Sequence, residues 1–566
     1  MRRLALLISM AFGISVAVCG CPDEKQEEEQ PAEEAAGEEK PVLKEVAEAE
    51  PNEKTDQAME IKDGCIVTAS LEAAPGEKKR ARDWYKIAPA GRQVVRISAS
   101  GIAGEDLNLA FLDADKNDMT TIDSGGPGEG ETFPNLTVDR EVYLRVYGAR
   151  GGKGGAYKLT VEMSEPAGGQ EEEFNGRYSR ANPLKIGERV QGYLGAKNDE
   201  DWYLLDLKEL PTGSVLRVDL TGVDGVRFNL GVLDPDRRPL METKADEAGK
   251  GIVIRNLGVP GTPESLYLLV KSDWVSAPKP QKADRTFNLQ SMYSLGVSSE
   301  AGGDDLEREP NDKAEEAIIL LDGQKIRGYL SPPGDVDWYA IEVERPSLLS
   351  AELSALDRVD LKIYVVDPEK KDQPKDFELV KIDHAKDNEE EKLTNCALKP
   401  GKNYVRVEAA WKKVDNQWVK LAENLDETYS LVLNLRTDDG KEEREPNQKP
   451  DLATPIQVGQ TLRGTLHPLR DVDFYKLDLS GQSGPRDTTI ECTGIPKVDI
   501  SIALLGPELD EKGQPKTIET SKKGRGEQKE QIQKELMPGE YFIKVRGYPA
   551  SESNTVDQYV LTVTQP

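Results

Sequence analysis

Hydrophobic and polar residues alternate along this chain in short runs separated by turns. Val359-Asp360-Leu361-Lys362-Ile363-Tyr364-Val365-Val366 alternates in the way of a half-buried strand. Asp367-Pro368-Glu369-Lys370 follows as a turn, and Lys399-Pro400-Gly401-Lys402-Asn403 is a second turn leading into Tyr404-Val405-Arg406-Val407. Tyr429-Ser430-Leu431-Val432-Leu433 closes the group. The same pieces recur elsewhere as Leu107-Asn108-Leu109-Ala110-Phe111, Phe228-Asn229-Leu230-Gly231-Val232 and Val498-Asp499-Ile500-Ser501-Ile502. Closing tyrosines recur as Tyr143/Tyr157, Tyr267/Tyr293 and Tyr541/Tyr559. No helical period is sustained. The pattern predicts an all-β chain of tandem antiparallel, jelly-roll-like β-sandwiches.

Two phrases punctuate these runs. Glu309-Pro310-Asn311-Asp312 is followed by Gly334-Asp335-Val336-Asp337-Trp338-Tyr339, and Glu445-Pro446-Asn447 by Arg470-Asp471-Val472-Asp473-Phe474-Tyr475. Earlier copies are Glu50-Pro51-Asn52 with Asp83-Trp84-Tyr85, and Glu173-Phe174-Asn175 with Asp199-Glu200-Asp201-Trp202-Tyr203. The last two copies lie 136 residues apart in both phrases. That spacing is a whole domain and exceeds the roughly 20–50 residues of a solenoid unit. It predicts four units, at 46–165, 166–300, 301–437 and 438–566, each large enough to bury its own core.

The N-terminus departs from the pattern. Arg2 and Arg3 precede an apolar run from Leu4 to Val18, which suits a signal peptide over residues 1–21 and is short for a membrane span. Its end, Val18-Cys19-Gly20-Cys21, resembles a bacterial lipobox, which implies lipid on Cys21 and membrane attachment through it. Pro22 is not the Asp that signals inner-membrane retention in enteric bacteria, so the expected address is the cell envelope at the outer membrane. The stretch from Pro22 to Glu50 holds twelve acidic residues, three lysines and no aromatic. Such a composition does not offset its ordering entropy, and residues 22–45 read as a disordered acidic tether.

Together the Glu-Pro-Asn phrase, the Asp-x-Asp-x-Tyr phrase, the strand ending in an Asp-rich turn, the Pro-Gly turn before a Tyr-x-x-Val strand, and the final Tyr-x-Leu-x-Val strand resemble the bacterial pre-peptidase C-terminal domain. The resemblance covers nearly everything after residue 46. It implies a jelly-roll-like β-sandwich of the kind appended to exported peptidases. It is similar as well to the collagen-binding modules of clostridial collagenases, which bind calcium beside the first strand.

The net charge of −29 argues against nucleic acid, which is bound through basic patches. There is no His-Glu-x-x-His, and two histidines, His384 and His467, do not supply a peptidase metal set. Cys65, Cys396 and Cys492 fall at non-equivalent places and read as free thiols.

Hard-oxygen ligands are abundant. The third unit offers Glu307, Glu309, Asn311, Asp312, Asp335 and Asp337 as candidate calcium ligands. The fourth offers a weaker set, Glu443, Glu445, Asn447, Asp471 and Asp473, with Gln448 in place of the fourth residue of the phrase. The second keeps Glu171, Glu173, Asn175, Asp199 and Asp201. The first keeps Glu48, Glu50, Asn52 and Asp83, with Ala81 where the first Asp of the pair would stand. The same residues also suit tight turns held by side-chain-to-backbone hydrogen bonds without metal. Asp113-Ala114-Asp115-Lys116-Asn117 opens like an EF-hand loop, but Asp118 replaces the required Gly and Ser124 the final Glu, so it reads as a turn. Trp84, Trp202 and Trp338, each followed by a tyrosine on the alternating strand of its own unit, read as packing before carbohydrate platform. Trp411 and Trp418, in the insertion from Glu408 to Glu427, are the expected surface contact.

The functional expectation is a non-enzymatic exported lipoprotein whose units bind or space a protein or polysaccharide at the cell envelope. The alternative is an accessory subunit that targets a separate secreted peptidase or glycoside hydrolase. Calcium is the one cofactor expected, and no catalytic residue is assigned.

Overall fold

The chain is all-β. Its computed structural model describes residues 43–566 apart from 73–80, 150–153, 260, 262, 276–283, 368–369, 371–377, 384–388, 411, 415–416, 420–422, 512, 525 and 550–553. Cys21, most of the expected tether, His384 and Trp411 lie outside the described residues, as does the side chain of Trp418. Short 3-10 turns are the helical elements among the described residues, and no helix there is long and apolar enough to cross a membrane.

The third repeat shows the plan. One sheet runs in the order Ile318–Leu320, Val336–Val343, Gly401–Ala409, Leu361–Val366, Glu378–Ile382. The other runs Lys325–Leu330, Asn424–Thr437, Ser347–Leu353, Glu391–Leu398. All neighbours are antiparallel except Ile318–Leu320, which pairs parallel with Val336–Val343. Inward residues of both sheets, among them Leu349, Ile363, Val405 and Leu431, share one core. The second and fourth repeats have the same strand order, and so does the first except for one added strand, each with its own core. Alternation explains the sorting: residues i and i+2 face the core, while their neighbours face outward, where Trp338, Tyr364 and Val366 are buried in a second, smaller cluster.

That added strand is Lys44–Ala47, which pairs parallel with Cys65–Leu71. It takes the last two residues of the expected tether into the sheet; four residues beside a charge run carry too little pattern to announce a strand.

The repeats are not separate beads. Leu136 forms a parallel bridge with Glu173, Leu257 with Glu309, and Cys396 with Glu445. The second, third and fourth copies of the phrase therefore each lie on a strand of the preceding repeat. Lys44–Pro566 forms one compact unit, a solenoid-like stack whose coil is a whole repeat of two sheets. The expectation of tandem β-sandwich modules is corrected on this point, because neighbouring repeats share backbone hydrogen bonds and stack.

The EF-hand-like segment is a turn: Asp113 accepts from the Asn117 backbone at 2.8 Å, and Asp234 does the same for Arg238 at 2.8 Å. Trp84 and Trp338 are buried in small outer clusters with Tyr143 and Tyr364. Trp202 stacks edge-on between Tyr178 and Tyr267. Cys396 and Cys492 are buried, Cys65 is half-buried, and all three are free thiols. The insertion's Lys412–Val414 and Gln417–Val419 pair as a hairpin.

Candidate metal centre

In the third repeat the lead-in segment is extended, so Glu307, Glu309 and Asn311 project to one side. The Trp338 amide donates to the Asn311 carbonyl at 3.0 Å, which fastens this segment to the strand that carries Asp337. Carboxylate oxygens of Glu307, Glu309 and Asp337 come within 4.8 Å of one another, and these side chains and Asn311 are 0–1% exposed.

Which oxygens face the centre follows from the donors. Glu307 is held at Oε1 by the Tyr329 amide (2.6 Å) and at Oε2 by Asn311 Nδ2 (2.9 Å) and the Tyr339 hydroxyl (3.0 Å). The Asn311 amide takes Glu309 Oε2 (3.1 Å), and the Tyr429 hydroxyl takes Asp337 Oδ2 (2.6 Å). Glu309 Oε1, Asn311 Oδ1 and Asp337 Oδ1 are buried and accept no hydrogen bond. Buried acceptors are nearly always satisfied, and each one left bare costs about 1–3 kcal/mol. Three bare hard oxygens beside a third carboxylate are what a calcium ion, with six to eight oxygen ligands, coordinates. Backbone carbonyls and waters would complete the shell.

Charge points the same way. Burial, then mutual repulsion with Asp337, holds the Glu307 and Glu309 carboxyls far above their ordinary range. Burial pushes Asp337 up to about 6. A divalent cation would relieve both causes.

The arrangement recurs. Glu171, Glu173 and Asp201 converge in the second repeat, Glu443, Glu445 and Asp473 in the fourth, and Glu48, Glu50 and Asp83 in the first. The bare oxygens recur as well: Glu173 Oε1, Asn175 Oδ1 and Asp201 Oδ1, then Glu445 Oε1, Asn447 Oδ1 and Asp473 Oδ1. In the first repeat Asn52 Oδ1 is bare, but Glu50 is exposed. Burial raises Glu171 to about 7, Glu443 to about 7, Glu445 to about 8 and Asp83 to about 8.

The first Asp of each pair does different work. Asp335 lies in the turn before the strand, where Oδ2 accepts from Ser331 (2.7 Å) and Oδ1 from Val336 (2.7 Å). Asp471 accepts likewise from His467 (3.0 Å) and Val472 (2.8 Å), and Asp199 from Gly195 (2.7 Å). The structure thus brings together Glu307, Glu309, Asn311 and Asp337, and in the fourth repeat Glu443, Glu445, Asn447 and Asp473. Asp335 and Asp471 are turn staples. Asp312 is exposed, and Gln448 bonds Glu445.

Sequence reasoning missed the backing of the centre. Two core tyrosines meet hydroxyl to hydroxyl behind it in every repeat: Tyr85 and Tyr157 (2.6 Å), Tyr203 and Tyr293 (2.6 Å), Tyr339 and Tyr429 (2.5 Å), Tyr475 and Tyr559 (2.6 Å). The closing tyrosine donates to the strand Asp each time. Gly328 makes room, since a Cβ there would meet the Tyr429 ring at 2.4 Å; Gly192 and Gly464 do the same for Tyr293 and Tyr559. The signal was available as the recurrent Gly192-Tyr193-Leu194, Gly328-Tyr329-Leu330 and Gly464-Thr465-Leu466. Grooves between repeats are lined by Glu173, beside Phe174 and Arg177, and by Glu445, beside Gln448 and His467.

No protein-family model matches the chain, and no curated protein matches it. Among solved structures, it is similar to the pre-peptidase C-terminal domain of a collagenase from Bacillus anthracis, at 18% identity. That match covers 21% of this chain and all of that domain, with a TM-score of 0.17, and sets no family for the chain.

Proposed function

We propose that this chain is an exported lipoprotein whose four repeats are calcium-loaded β-sandwiches of the pre-peptidase C-terminal type. Lipid on Cys21 anchors it at the cell envelope, on the outer membrane. Its role is to bind or space a protein or polysaccharide partner, and it is not an enzyme. The observation that carries this reading is one oxygen cluster that recurs in all four repeats, backed each time by a tyrosine pair and fully buried in the last three. A catalytic carboxylate needs access to a substrate, whereas these are closed from behind by the core and hold their charges toward one another. A structural cation answers both the bare oxygens and the raised carboxyls. The sandwich assignment is supported by two sheets per repeat over a single core.

Two measurements test the reading. Cell fractionation of Cys21→Ser should release the chain from the membrane; unchanged retention refutes the anchor. The full-length chain, with calcium or with chelator, should be offered to glycan and matrix-protein arrays. Calcium-dependent capture supports a binding role, and substrate turnover lost in Asp337→Asn would overturn the non-enzymatic assignment. Co-purification with a secreted hydrolase in place of envelope proteins would favour the accessory-subunit alternative.

A further inference from the structure

The three inner centres share a feature that the first lacks: part of each is built by the repeat before it. The backbone of the second Glu is bonded to the preceding repeat. The Gly258 amide donates to the Glu309 carbonyl (2.7 Å), and the Glu309 amide to the Asn256 carbonyl (3.0 Å). At the next junction the Ala397 amide donates to Glu445 (2.8 Å), and the Glu445 amide to Asn395 (2.9 Å). At the first junction the Thr137 amide donates to Glu173 (3.1 Å), and the Glu173 amide to Thr137 Oγ1 (3.2 Å). The first Glu is reached by a buried Asn from the same strand. Asn135 Nδ2 donates to Glu171 Oε1 (2.8 Å), Asn395 Nδ2 to Glu443 Oε1 (3.1 Å), and Asn256 Nδ2 to the Glu307 carbonyl (3.4 Å). Each Asn sits where its strand breaks register with its neighbour. Arg436 Nη2 holds Asn395 Oδ1 at 2.6 Å, so the amide of Asn395 is aimed at Glu443. In the last repeat the corresponding strand, Glu530–Leu536, pairs in unbroken register and contains no Asn.

We infer that the centres of repeats two, three and four are composite sites, each completed by an Asn and a bulged strand of the preceding repeat, so that cation binding and repeat-to-repeat docking are linked. This rests on the cation reading above. The Asn is a positioning residue: Asn135 and Asn395 hold the carboxylate of the first Glu and Asn256 its backbone carbonyl, while the bulged strand sets the backbone of the second Glu. By linkage, an ion that prefers the docked arrangement strengthens docking as much as docking strengthens the ion. Calcium then stiffens the stack, and the first repeat, with its exposed Glu50, is the weakest site.

The test is calcium calorimetry and amide exchange on the full-length chain, its Asn395→Gly variant and its Asp473→Asn variant. Glycine keeps the positive φ of 53° at position 395 accessible. Wild type should show calcium heat and slower exchange over Glu391–Leu398, a strand with no calcium ligand. Asp473→Asn should remove that protection although its change lies in the next repeat. Asn395→Gly should weaken one site by about tenfold or more, the usual effect of removing a group that orients a ligand, and leave the others unchanged. Asn135→Ala should do the same at the second repeat. Calcium heat with no weakening in Asn395→Gly, or protection of Glu391–Leu398 that survives Asp473→Asn, overturns the composite site and leaves the cation reading intact. No calcium heat in wild type overturns both.

Discussion

Asp337→Asn separates a metal ligand from a turn staple by the sign of its effect. Without cation, Asp337 is a buried carboxyl raised from 3.8 to about 6 by burial. Its charged form is disfavoured by about 3 kcal/mol at pH 8, at about 1.36 kcal/mol per pH unit. Asparagine removes the charge and keeps the shape. Its oxygen still accepts from Tyr429, and its amide can donate to the bare Glu309 Oε1 or Asn311 Oδ1. The variant should therefore be more stable than wild type in chelator, by up to about 3 kcal/mol. In calcium the order reverses, since wild type gains about 2.7 kcal/mol at 100 times Kd and the variant gains little. Amide exchange of the peptide Val336–Val343 reads this locally. In chelator at pH 8 the variant should exchange up to about 100-fold more slowly than wild type; calcium should slow wild type by about 100-fold and leave the variant unmoved. If the variant exchanges faster by the same factor in both conditions, Asp337 only anchors Tyr429, and the reasoning fails.

Other outcomes follow from the same geometry. Tyr429→Phe removes the donor to Asp337 Oδ2; denaturation should show a loss of about 1–3 kcal/mol, and calcium affinity should fall about 10–100-fold. In chelator, stability should fall as pH rises from about 4 to about 8. The folded carboxyls, including Glu445 at about 8, hold protons that the unfolded chain has released in that window, and urea midpoints at pH 5.5 and 8.5, with and without calcium, check the slope and its loss. Burial pushes the thiols of Cys396 and Cys492 up, so of Cys65, Cys396 and Cys492 only Cys65 should react with a thiol reagent under native conditions, as counted by peptide mass spectrometry.

The alternation of Val359–Val366 and its counterparts was enough to read an all-β chain, because a period of two over such short runs fits a strand and does not fit a helix. The repeated phrases were enough to read the carboxylates and Asn of the centre. Three things were hidden. Asp335 and Asp337 stand at i and i+2, the spacing of one strand face; the strand begins at Val336, so Asp335 turns back to bond its own loop. The tyrosine pairs, such as Tyr339 and Tyr429, lie 90 residues apart, and the meeting of their hydroxyls depends on sheet pairing that local pattern does not encode. Asn135, Asn256 and Asn395 sit at breaks in register and act on the next repeat, so neither period nor phrase marks them.

Whether the bare oxygens are cation ligands is tested most directly by anomalous diffraction from a crystal grown in calcium. A calcium peak is expected within about 2.3–2.6 Å of Glu309 Oε1, Asn311 Oδ1 and Asp337 Oδ1, with equivalent peaks in the second and fourth repeats. Electron density at those points with no anomalous signal, and the three oxygens paired to water or to protein donors, would contradict it.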